Sequence, residues 1–80
     1  MSYANDDIIY ALESEGYEVW DYGDTLHVQA YETVRSGSYG VSYAMPNDAM
    51  ADDIYEIASM YAAVTVHILE QNRIVVVEVL

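Results

Sequence analysis

The sequence predicts an α+β fold: two helices packed on one face of a mainly antiparallel five-stranded sheet, in the order α-β-β-β-α-β-β. Three observations predict it. Apolar residues recur at helical spacing over residues 5–15 and 47–62, and shorter segments between and after them alternate or run apolar as strands do. A chain of 80 residues that is 54% hydrophobic is too apolar for an acidic tail, so these faces must bury one another in a single compact acidic domain, residues 1–80.

Each element has a local reason. In the first helix Ile8, Ile9 and Leu12 form the inward stripe, with Ala11 at its edge. Asn5 is the expected N-cap, Asp6 and Asp7 suit the positive end of the dipole, and Gly16 suits the C′ position. "YEVW" (17–20) is a short strand, and "DYGD" after it is turn chemistry with Gly23 free to take positive φ. Residues 25–33 alternate, with Leu26, Val28 and Ala30 on one face and His27, Gln29 and Tyr31 on the other. "RSGS" closes a hairpin to a third strand, "YGVSYAM" (39–45), which Pro46 stops before Asn47 caps the second helix. "VTVHILE" and "RIVVVEVL" follow as a hairpin turning tightly at Gln71-Asn72. The unbroken apolar run Ile74–Val77 belongs in a strand buried on both faces or central in the sheet.

Fourteen acids against two bases, Arg35 and Arg73, give a net charge of −12. Such a balance costs stability through self-repulsion while aiding solubility and electrostatic steering. The acids are spread along the chain, so the charge belongs to a folded surface. Nucleic acid and anionic membrane are disfavoured as direct partners, because phosphate binding needs Lys and Arg. The first sixteen residues lack a basic n-region and a long apolar run, so no signal peptide is expected, and the absence of cysteine suits the cytoplasm. Nine tyrosines and one tryptophan, with no phenylalanine, fit a thin core boundary or an interface.

No catalytic constellation stands out. His27 and His67 each sit alone in a strand, with no neighbour at ligand spacing, so neither a metal nor a cofactor is expected. The serines lie in no nucleophile motif, and the acid-rich runs lack the Gly and Glu positions of a calcium loop. Paired carboxylates could in principle do acid–base work, but a chain this short leaves little room for a cleft. The protein is read as no enzyme.

The candidate binding residues are therefore acids. Asp48, Asp52 and Glu56 recur at i, i+4, i+8 on the second helix, about 6 Å apart along its axis, with Asp53 beside them. Asp48 and Asp52 also suit the helix N-terminus, whereas Glu56 lies beyond the reach of the dipole. Asp6, Asp7, Glu13 and Glu15 around the first helix, with Asp21 and Asp24 in the turn after "YEVW", complete the set. A rigid row of carboxylates can occupy a groove of Arg and Lys built for phosphates, through the same charge-assisted bonds.

Very short, cysteine-free, strongly negative and α+β, the chain resembles in general character the small phage-encoded anti-CRISPR proteins and acidic DNA mimics. The resemblance implies a non-catalytic inhibitor in the host cytoplasm, monomeric or weakly dimeric. It would occupy the Arg/Lys nucleic-acid-binding surface of a CRISPR effector, with a type I Cascade complex the favoured target. Other members of that group block conformational change or nuclease recruitment instead. The alternative is a small homo-oligomeric module whose acidity serves solubility or high salt. Its sheet edge or tyrosine face would then pair with itself, and pairing through "RIVVVEVL" would protect a strand that is hazardous on an edge.

Overall fold

A computed structural model describes residues 3–30 and 43–80, with side chains from residue 5 onward. The elements are α1 (Tyr3–Ser14), β1 (Tyr17–Asp21), β2 (Thr25–Ala30), α2 (Asp48–Ala58), β3 (Val64–Leu69), a 3-10 turn at Glu70–Asn72 and β4 (Ile74–Val79). The sheet is antiparallel throughout, in the order β1-β2-β4-β3. Both helices pack on one face of it, α1 over β1 and α2 over β3 and β4, and they touch each other.

The register shows how a period of two divides the strands. Val19 lies opposite Val28, Leu26 and Val66 flank Val77, and Val28 and Ile68 flank Val75, so these residues share the helix-covered face. Leu26, Val28, Val75 and Val77 are fully buried there against Ile8 and Leu12 of α1 and Ile54 and Ala58 of α2. Each such Leu, Ile or Val contributes about 1.5–3 kcal/mol by leaving water. The apolar run of β4 is indeed central, and Ile74 through Val77 are buried on both faces.

The predicted five-stranded order does not match: among the described residues the sheet has four strands. Residues 31–33 of the second predicted strand and 39–42 of the third lie outside the described residues. Tyr43 makes an isolated bridge, and the Ala44 amide donates to the Ala30 carbonyl at 2.8 Å. Among the described residues β1 pairs one edge of β2 and β4 pairs the other from Thr25–Glu78 to Val28–Val75, so Ala44 meets Ala30 past the last β4 pairing.

Two local expectations also change. Asn5 does not cap α1, which starts at Tyr3; its side chain is buried and donates to the Gly23 carbonyl at 2.6 Å, tying α1 to the β1–β2 turn. The β3–β4 connection is longer than a two-residue turn, and Arg73 closes it in the left-handed region at φ 55°. Three local expectations hold, Gly16 and Gly23 taking φ of 94° and 90° and Asn47 Oδ1 accepting the Met50 amide at 2.9 Å, while the "RSGS" turn lies outside the described residues. The second helix stops at Ala58, short of residue 62, and leaves Tyr61 outside it and exposed.

Candidate functional site

All ten candidate acids are solvent-exposed, and the fold sorts them into three groups. Asp6 and Asp7 open α1 at the end where Asn5 grips the β1–β2 turn, so Asp21 and Asp24 of that turn lie at the same end of the molecule. Asp21 has a folding role of its own, its Oδ1 accepting the Gly23 amide at 2.8 Å. Glu13 and Glu15 close α1, where the dipole opposes negative charge, so helix formation does not account for them. The third group is on α2.

On α2 the row is narrower than the sequence implies. Asp53 lies about 100° round the helix from Asp52. It faces Tyr17 at the start of β1, whose phenol donates to Asp53 Oδ2 at 2.7 Å. Asp53 therefore has a partner within the fold. Asp52 instead borders an open groove of about 410 Å³ between α2 and β3, lined also by Ala51, Tyr55, Val64, Thr65 and Val66. Asp48, Asp52 and Glu56 remain as the outward row, held in place because Ile54 and Ala58 on the opposite side are buried.

Among the described residues nothing neutralises this surface. Among the described residues the one ion pair is His67 Nε2 with Glu78 Oε2 at 3.9 Å, and none of the ten acids takes part in it. Arg73 spends its guanidinium on the Tyr43 carbonyl, at 2.8 Å, rather than on a carboxylate. Among the same residues no three His, Asp or Glu converge as a metal set. His27 and His67 flank Val76 across the sheet, about 10 Å apart at two strand spacings, and His27 lies against the Tyr22 ring. The tyrosines divide: Tyr10, Tyr22, Tyr55 and Tyr61 are exposed, whereas Tyr17 and Tyr43 are half-buried and bond to carboxylates, Tyr43 to Glu18 at 3.1 Å. No helix among the described residues is long and apolar enough to cross a membrane.

No protein family, curated protein or solved structure matches this chain. Its chemistry therefore rests on its own residues.

The sequence reading did not foresee Tyr17 as the partner of Asp53, because nothing in the spacing of residues 36 apart announces the contact. Burial first, then the hydrogen bond to Asp53 and the charges of Asp53 and Glu15, push the Tyr17 phenol up to about 12. The unfolded phenol titrates near 10. The folded state thus holds this proton more tightly, and the stabilisation is complete below pH 10 and lost as pH rises through about 12. Tyr43 shifts in the same direction, through desolvation and then Glu18. In thermal melts from pH 8 to 12, Tyr17→Phe should lose less stability across that window than wild type, and equal slopes would refute the assignment.

Proposed function

We propose that this protein is a non-catalytic inhibitor that seats an acidic surface on the Arg/Lys surface a nucleic-acid-binding protein uses for phosphates. The target class is a CRISPR effector, of type I Cascade kind, kept from its DNA. The observation that carries this reading is the row Asp48, Asp52 and Glu56: exposed, on a helix anchored by Ile54 and Ala58, and without an ion-pair partner among the described residues. A carboxylate row whose backbone cannot shift retains its spacing when a partner's guanidinium groups arrive, so little ordering entropy opposes binding. The charge of −12 adds long-range attraction to any basic cleft.

The test is competition with labelled duplex DNA for a purified type I effector complex, at about 50 and 500 mM salt. Stoichiometric displacement of DNA that fails at high salt is the expected result. Absence of competition at low salt would overturn the reading.

A homo-oligomer would have to form through another surface than "RIVVVEVL", which lies between β2 and β3 in the sheet.

A further inference from the structure

The exposed edge of the sheet is β3. Its pairing with β4 runs unbroken from Val64–Val79 to Leu69–Ile74, and the Leu80 amide donates to the Ala63 carbonyl just outside it. In an antiparallel ladder hydrogen-bonded pairs alternate, so Thr65, His67 and Leu69 turn their backbone groups toward β4. Val64, Val66 and Ile68 therefore turn theirs outward; among the described residues no hydrogen bond is made there, and Val64, 6% exposed, is the most covered of the three. The usual protections of an edge are absent from this strand: it has no lysine, no acid, no proline and no bulge. The opposite edge, β1, by contrast carries Glu18 and Asp21.

We infer that the outer edge of β3 receives an extended, basic polypeptide segment as an added strand. The inference rests on the proposal above that the partner is basic, and it adds how that partner is held. The added strand would satisfy the outward amides and carbonyls of Val64, Val66 and Ile68. Its side chains on the helix-covered face would enter the groove beside Asp52 and Tyr55, where Lys or Arg would meet Asp52 and the row it belongs to. Its side chains on the other face would lie beside Thr65, His67 and Leu69, a mixed surface on which Leu69 is 44% exposed. Charge decides against a second copy as the occupant. Joining two β3 edges in one sheet would set two α2 helices side by side on the same face, each carrying its acids, in chains of −12 apiece.

The probe is the blocked peptide acetyl-Val-Lys-Val-Lys-Val-Lys-Val-amide, with the same sequence N-methylated at every residue as a control of equal charge. Binding is measured by titration at low salt, and hydrogen exchange is read at the amides of Val64, Val66 and Ile68. The expected result is slowed exchange at those three amides with the unmethylated peptide alone. Val66→Pro removes one outward donor and leaves the β3–β4 ladder its bonds, so it should fold and bind about tenfold more weakly. Equal binding of both peptides without slowed exchange would overturn the added strand while leaving the acidic reading to stand on DNA competition. Protection that grows with protein concentration in the absence of peptide would make a second copy the occupant and overturn it too. Should the proline variant fail to fold, the two peptides decide the question on the unaltered protein.

Discussion

Replacing Asp52 and Glu56 together by lysine is expected to weaken displacement of DNA from the effector about a hundredfold, with no loss of thermal stability. Setting like charge against a basic surface costs several kcal/mol, and a hundredfold corresponds to about 2.7 kcal/mol. Both side chains are exposed and neither bonds to another described residue, so no contact among the described residues is broken. Asp48 and Asp53 are left in place for physical reasons. Asp48 starts α2 beside the Asn47 cap, and Asp53 accepts the Tyr17 phenol. The change takes net charge from −12 to −8, since two carboxylates become two ammonium groups, and so relieves self-repulsion. It also places Lys four residues after Asp48, the favourable order on a helix. Stability should therefore hold or rise while inhibition falls. A double variant that competes as well as wild type would remove α2 from the active surface.

Asn5→Asp is expected to destabilise the fold by about 3 kcal/mol, the cost of an unpaired charge in a buried position. In a domain of 80 residues that lowers Tm by about 12–24 °C. The Asn5 side chain is 8% exposed, donates to the Gly23 carbonyl, and its Oδ1 has no partner. A carboxylate there would set negative charge against a carbonyl oxygen with no donor to offer it. Protonation restores a donor, so the folded state would hold the new proton more tightly than the unfolded carboxyl, which titrates near 3.9. The deficit relative to wild type is therefore full at neutral pH and shrinks as pH falls toward about 4. Asn5→Ala, which removes the bond without adding charge, should cost about 1 kcal/mol with no such pH dependence. Thermal melts of both variants between pH 4 and 8 check this, and a pH-independent gap for Asn5→Asp would refute the geometry.

Much of the local structure is legible in the residues themselves. The stripe Ile8 and Leu12 predicts the buried face of α1, and the alternation Leu26, Val28 predicts the buried face of β2, because burial follows the 3.6 and 2.0 periods directly. Asn47, Gly16 and Gly23 act as caps and turns act anywhere, through their own side chain or lack of one. Ile74–Val77 is central because a strand apolar on both faces has no side to give to water. The candidate acids were equally visible: charge of this excess has nowhere to lie but outside.

What the residues alone left open is whatever depends on who stands next to whom. Asn5 is as good a cap as Asn47 by its chemistry, and only the approach of Gly23 from 18 residues away makes it a tether. Asp53 and Glu56 look alike on a helical projection until Tyr17 bonds to the first and leaves the second facing water. β4 lies beside β2, far from it in sequence, because that non-local pairing buries Val75 and Val77 against Leu26 and Val28. That insertion in turn makes β3, not β4, the open edge. Periodicity and local side-chain chemistry act within a few residues and can be read along the chain, whereas strand order and the pairing of acids are properties of the assembled layers.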